Sequence, residues 1–319
     1  MIRSYLNQLM ITVIVLANLC TCVCNSGQDQ LIESYIEEEY LSGRIGDNED
    51  DLAYREPSEG EEGERIFTSV FALAPDGSIF LDDPLRKVIK QLSPAGELIG
   101  EIHLNTLIVD DIAVVDSILL AICYWNRPFI DLMTLDGKVV DSIIMPGPVT
   151  SSSNLYVCGN ALLLRYYASG SGFPRMEGYK WTIGSTEHEW TNNPAGLSAE
   201  TCGQYHTVGQ SFDGISDTAT IVSTAMGAQI RVGRRLIPIG IDRDANLFVG
   251  WLERASVTQS SEDKYIIAKF SPAGARLAQF HVRAFGMDHL SRVDSRGNLY
   301  IFDYDLNQSK WFVYKYCRK

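Results

Sequence analysis

The chain has 319 residues and carries 40 Asp and Glu against 27 Lys and Arg, a formal net charge of −13. Its apolar share of 45% is enough to bury a core, which excludes a wholly disordered or fibrous protein. The lack of a basic patch argues against nucleic acid as a partner.

In chain order, residues 1–26 read as an export signal, with Arg3 as a positive end and Leu9 to Leu19 as an apolar core too short for a comfortable membrane span. Cys20, Cys22 and Cys24 follow that core, and Cys22 is the candidate lipidation site, with Leu19 at minus three and Thr21 at minus one. Cleavage near Ser26 and an uncleaved anchor are the alternatives. The expected location is therefore outside the cytoplasm, periplasmic or at the cell surface, with membrane attachment only through a lipid. Residues 27–64 read as an acidic flexible linker: residues 29–64 hold 14 Asp or Glu against Arg44 and Arg55 and account for −12 of the net charge.

Residues 65–319 are built from repeats. Short apolar runs with a period of two are bounded by turn residues, so they predict strands and not helices. The first unit predicts strands at Val70 to Ala74, Ser78 to Asp82, Lys87 to Leu92 and Glu97 to Leu104, joined by Asp76-Gly77, a loop at Pro84, and Pro94-Ala95-Gly96. The same turn returns at Asp116-Ser117, Gly159-Asn160, Asp244-Ala245 and Arg296-Gly297, in steps of 40, 43, 85 and 52 residues. The doubled step implies a degenerate unit between Ala195 and Arg235, and the long last step a polar insertion from Arg254 to Asp263. Leu92-Ser93-Pro94-Ala95-Gly96 is echoed by Phe270-Ser271-Pro272-Ala273-Gly274. Four strands per roughly forty residues, six times over, is the signature of a six-bladed, all-β propeller.

The segments Ala72-Leu73-Ala74-Pro75-Asp76-Gly77-Ser78-Ile79-Phe80-Leu81-Asp82-Asp83 and Arg292-Val293-Asp294-Ser295-Arg296-Gly297-Asn298-Leu299-Tyr300-Ile301-Phe302-Asp303 resemble the blades of NHL-repeat and TolB-like propellers. The likeness covers roughly residues 65–319, least well between Ala195 and Arg235, and implies a fold without implying one activity. The last unit has three strands, at Leu290 to Asp294, Asn298 to Asp303 and Lys310 to Tyr316. Its fourth is expected from upstream of Phe67, in Glu59 to Phe67 or alternatively Tyr40 to Ile45. Four cysteines, Cys123, Cys158, Cys202 and Cys317, lie in this region, as buried thiols or two disulfides, with Cys123 and Cys158 the pair to test.

No nucleophile elbow, phosphate loop, zinc-protease motif or dinucleotide fingerprint occurs. The loops from second to third strand in each unit gather aromatics and charges: Asp83, Tyr124, Trp125, Arg127, Tyr166, Tyr167, Trp251, Glu253, Asp303 and Tyr304. Flat anchors with a few orienting charges suit a protein, peptide or glycan ligand. The expectation is a monomeric binding or scaffold module with no catalytic residues and no cofactor. The alternative, by resemblance to calcium-dependent propeller lactonases and esterases, is a hydrolase using Asp82, Asp83, Asp303 and Asp305 around Ca2+.

Overall fold

A computed structural model describes residues 33–55, 68, 70–105, 108–115, 119–124, 127, 129–145, 154–158, 161–168, 175–184, 191–192, 205–209, 220–224, 229–232, 237–253, 264–282 and 290–319. Every regular element among them is a β-strand. They run β1 (Tyr35–Arg44), β2 (Phe71–Leu73), β3 (Ile79–Asp83), β4 (Val88–Leu92), β5 (Leu98–His103), β6 (Val109–Val114), β7 (Leu119–Tyr124), β8 (Phe129–Thr134), β9 (Val139–Ile144), β10 (Asn154–Cys158), β11 (Ala161–Ala168) and β12 (Arg175–Thr182). Then come β13 (Thr191–Asn192), β14 (Tyr205–Gly209), β15 (Thr220–Thr224), β16 (Gln229–Val232), β17 (Ile237–Ile241), β18 (Leu247–Glu253), β19 (Lys264–Phe270), β20 (Arg276–Val282), β21 (Ser291–Val293), β22 (Leu299–Asp305) and β23 (Lys310–Arg318).

The fold is an all-β propeller. Five antiparallel four-stranded blades are present: β2–β5, β6–β9, β10–β13, β17–β20, and a closing blade of β21, β22, β23 and β1. Six four-stranded blades were expected; the stretch assigned to the degenerate unit carries a three-stranded sheet, β14–β16. The predicted strands of the first unit fall within a residue of the observed ones.

The sequence echo is a structural echo. Ser93 and Ser271 each accept the N–H of the glycine three residues on, and each serine Oγ accepts the N–H four residues on, at 3.2 Å from Glu97 and 3.1 Å from Ala275. Gly96 and Gly274 both take φ +84°, the left-handed turn that a side chain disfavours. Thr134-Leu135-Asp136-Gly137 is a third copy, with Gly137 also at φ +84°, which the sequence does not advertise because Thr-Leu-Asp replaces Ser-Pro-Ala.

The core is a series of layers between blades, produced by alternation along each strand. In β18, Leu247, Val249 and Trp251 pack to one side with Ile266 and Phe270, while Phe248 packs to the other with Leu299, Ile301 and Tyr316 of the closing blade. A second layer joins β2–β5 to β6–β9 through Phe80, Ile89, Ile112 and Ile122, and a third joins β6–β9 to β10–β13 through Cys123, Ile130, Leu162 and Trp181.

The stretch expected as a flexible linker over 27–64 is corrected in part, because β1 lies inside it and supplies the missing fourth strand. It pairs antiparallel with β23 from Tyr35 opposite Arg318 to Arg44 opposite Lys310. The closing strand thus overlaps the alternative Tyr40 to Ile45; Glu59 to Phe67 lies, apart from its neighbours, outside the described residues, as do the signal segment, Cys22 and Cys202. Composition misled here because an outermost strand buries little: of β1 only Leu41 is fully buried, and acids are tolerated at its exposed positions.

The same N-terminal segment touches three blades. Before β1, Glu33 accepts a hydrogen bond from Lys269 Nζ at 2.8 Å, and its N–H donates to Leu277 O. After β1, the loop 46–53 turns its carbonyls onto the first blade. Arg86 donates to Gly46 O at 3.1 Å, Asn48 O at 2.6 Å and Asp51 O at 2.7 Å, and Lys90 donates to Glu49 O and to Asp51 O. Leu41 and Leu52 complete the layer of Phe71, Leu81, Phe302 and Trp311 between the first and closing blades.

Candidate functional site

In a meander blade the first strand lies innermost, and the second-to-third-strand loops open on the face where the first strands begin. The first strands β2, β6, β10, β17 and β21 surround a channel of about 180 Å³. Among the described residues its wall is mostly small or aliphatic, with Ala72, Ile112, Leu155, Ile239 and Val293, and it also holds Tyr156. Among the described lining residues one is charged, Arg292.

Arg292 is held on its way in. Its guanidinium lies 5.5 Å from the centre of the Phe71 ring and donates to Asp111 Oδ1 at 2.7 Å. Asp111 is 1% exposed at its side chain and accepts the Leu155 N–H at 2.7 Å with its second oxygen. One buried ion pair therefore ties β21, β6 and β10 together across β2. Such a pair is costly to break on one side only, by about 3–5 kcal/mol, because the remaining charge stays buried. Neither residue was singled out from the sequence. The available signal was register: counted back from its turn, Arg292 occupies the position of Ala72, Ile112 and Gly240, so a cation stands where the other units have an apolar residue or glycine.

The residues predicted for the recognition face separate into three groups. Arg127 is exposed, Tyr304 is 37% exposed, and Asp303 is half-buried, its Oδ1 accepting the Tyr304 N–H at 2.8 Å. Asp83, Tyr124 and Trp251 are buried and belong to the scaffold. Asp83 accepts Arg86 Nη1 at 2.7 Å and the Ala53 N–H at 3.3 Å, fixing the N-terminal loop. Tyr124 packs edge-on to Phe129, and burial followed by the Asp131 carboxylate raises its pKa beyond the ordinary tyrosine range. Trp251 packs with Leu247, Val249, Ile266 and Phe270 on one side of its own blade. Trp125 lies outside the described residues; Tyr166 and Tyr167 are placed on β11 opposite Glu177 and Met176, and Glu253 ends β18 opposite Lys264.

The four carboxylates considered for calcium do not converge. Asp82 Oδ1 accepts the Val70 N–H at the start of β2, Asp83 is paired with Arg86, and Asp305 accepts Asn307 and Gln308 within its own turn. Among the described residues no group of three His, Cys, Asp or Glu is placed to hold a metal ion. Cys123 is a buried thiol 3.9 Å from Met145 Sδ, and Cys317 is a half-buried thiol beside Glu38. The Cys158 side chain lies outside what is described.

No protein-family profile matches the sequence, and a search among curated proteins finds no significant match. Among solved structures, a DUF4221-family protein of Bacteroides vulgatus aligns with TM-score 0.55 at 10% identity, over 91% of this chain and 99% of its own. Hydrazine synthase of Kuenenia stuttgartiensis aligns at TM-score 0.49 and 10% identity, over 79% of this chain and 82% of that one. A streptogramin B lyase aligns at 0.45 and 10%, over 91% and 99%. At this identity the first of these likenesses speaks for the propeller fold alone.

Proposed function

We propose that the chain is an exported, envelope-tethered six-bladed propeller of the NHL-repeat or TolB-like kind that binds a protein, peptide or glycan and performs no chemistry on it. The sheet β14–β16 is then the remaining blade, between β10–β13 and β17–β20; the doubled repeat step over the same stretch supports this. The observation that carries the binding reading is the channel wall. A propeller hydrolase needs several acidic, amide or histidine side chains converging on the axis, whereas the described wall is mostly aliphatic, with Tyr156, and the one cation among its described residues is already paired with Asp111. An occupant would therefore be held at the rim, where Arg127, Asp303 and Tyr304 are accessible.

A glycan and peptide array tests this directly. The expected result is a defined set of bound probes, with Arg127→Ala and Tyr304→Ala each weakening binding by about tenfold or more while leaving the melting temperature unchanged. Unaltered binding in both variants would place recognition elsewhere, and turnover of ester or lactone substrates that depends on added calcium would replace the reading by the hydrolase one.

A further inference from the structure

The opposite face of the ring, which carries the turns between first and second strands, has a cleft of its own where the first and closing blades meet. It measures about 340 Å³ and is lined by Tyr40, Asp76, Asp294, Arg296, Tyr300 and Lys315, together with the residues around the Asp76 turn. Tyr40 is there because the β1–β23 ladder skips a residue between Glu39 and Leu41. A bulge of this kind turns a side chain out of the regular alternation, and bulges concentrate next to functional sites. The displaced Tyr40 donates to Gly77 O at 3.1 Å and stands edge-on to Tyr300, centroids 5.2 Å apart.

The charges are arranged by wall. On the closing blade, Lys315 Nζ lies 5.6 Å from the Tyr40 ring centre and 5.9 Å from that of Tyr300. Burial opposes its charge, but Cys317 and Glu38 outweigh that and hold its pKa above the usual lysine value. Its salt bridge to Glu38, at 3.5 Å, reaches a half-exposed partner and is weak. Arg296 on the same wall is exposed, and its guanidinium has no hydrogen-bond or ion-pair partner among the described residues. Asp294 is spent internally: it accepts the N–H groups of Arg296 and Asn298, the Asn298 amide and the Tyr300 hydroxyl. On the first blade's wall the exposed Asp76 accepts the Ser78 N–H at Oδ1, and its Oδ2 has no partner among the described residues.

We propose that this cleft binds a small zwitterion of amino-acid or dipeptide size, its carboxylate against Arg296 and Lys315, its ammonium against Asp76, and any apolar side group on the Tyr40 ring. A simple anion would meet the Asp76 charge and a simple cation would meet Arg296 and Lys315, so the cleft favours a molecule carrying both ends. The site is on the face away from the rim discussed above and does not depend on what binds there.

Calorimetric titration of the full chain with L-phenylalanine, 3-phenylpropionate and phenethylamine separates the ends. L-Phenylalanine is expected to bind about tenfold more tightly than either single-charge probe. Arg296→Gln should weaken L-phenylalanine and 3-phenylpropionate and spare phenethylamine; Asp76→Asn, which keeps the turn acceptor, should weaken L-phenylalanine and phenethylamine and spare 3-phenylpropionate. Both substitutions are on exposed side chains, and an unchanged melting temperature verifies that the variants fold. No binding by any probe at millimolar concentration, equal affinity for all three, or indifference of L-phenylalanine to both variants overturns the assignment.

Discussion

Ala245 has φ +61°, while the equivalent turn of the closing blade has Gly297 at φ +79°. The two turns are otherwise the same device. Asp242 Oδ1 accepts Asp244 and Asn246 N–H, as Asp294 Oδ1 accepts Arg296 and Asn298 N–H. An alanine in the left-handed region costs about 1 kcal/mol, offset in part by the greater freedom glycine has when unfolded. Ala245→Gly is therefore expected to raise the melting temperature slightly, by about 1–2 °C in a thermal melt. Gly297→Ala should do the reverse and more strongly, since its Cβ would stand 2.9 Å from Asp242 Oδ2 and 3.5 Å from Lys269 Nζ, in addition to the strained φ. A Gly297→Ala protein as stable as the parent would contradict this account of the turn.

At the scale of elements, β1 carries the ring closure, and three of its contacts give measurable consequences. Gly43 leaves room for Trp311: a Cβ there would lie 2.4 Å from the indole, which stacks on Phe302 with centroids 6.1 Å apart. Gly43→Ala should cost about 1–3 kcal/mol through overpacking, read as a lower denaturation midpoint. Removing residues 33–55 should cost more and should also promote self-association, because it bares the β23 edge and the apolar layer around Trp311. Unchanged melting and an unchanged monomer in that truncation would show that closure lies elsewhere.

The third contact is sensitive to alkali. Tyr35, stacked on Phe280 with centroids 4.6 Å apart, has its pKa pushed up to about 12, chiefly by burial. Lys269 is also held above its ordinary value: burial opposes its charge, but hydrogen bonding to Glu33, with Tyr35 and Asp242 nearby, prevails. Both folded pKa values exceed the unfolded ones, near 10 for both side chains. Their stabilising contributions are thus complete below about pH 10 and are lost as pH rises through the folded values. Thermal unfolding should begin to fall above about pH 10, and Tyr35→Phe should make the decline shallower; a flat profile to pH 12 would refute it.

For the molecule as a whole, the sequence made most of the blade architecture readable, because tight turns need particular residues and inter-blade layers need strict alternation. Asp76-Gly77, Ser93-Pro94-Ala95-Gly96 and Arg296-Gly297 locate their hairpins to within a residue. What stayed hidden depends on contacts between distant segments. The strand character of Tyr35 to Arg44 comes from the ladder it joins and not from its own side chains, and Asp83 looked like a binding group because the loop that covers it, residues 46–53, lies some thirty to forty positions away. Aromatics in the second-to-third-strand loops serve two purposes that local sequence does not distinguish: Tyr124 and Trp251 fill layers, while Tyr304 stays accessible. The Asp111–Arg292 pair joins residues 181 positions apart, so register marks Arg292 as unusual without naming its partner.

The antiparallel match of Tyr35 with Arg318 also sets a timetable. The segment Tyr35 to Arg44 must wait for Lys310 to Arg318, so the circle stays unlatched until β23 has been made, with Leu41 and Phe302 lacking the indole that later covers them. A chain halted before residue 310 should remain protease-sensitive between the first and closing blades, and addition of β23, residues 310–318, should confer resistance in a single step.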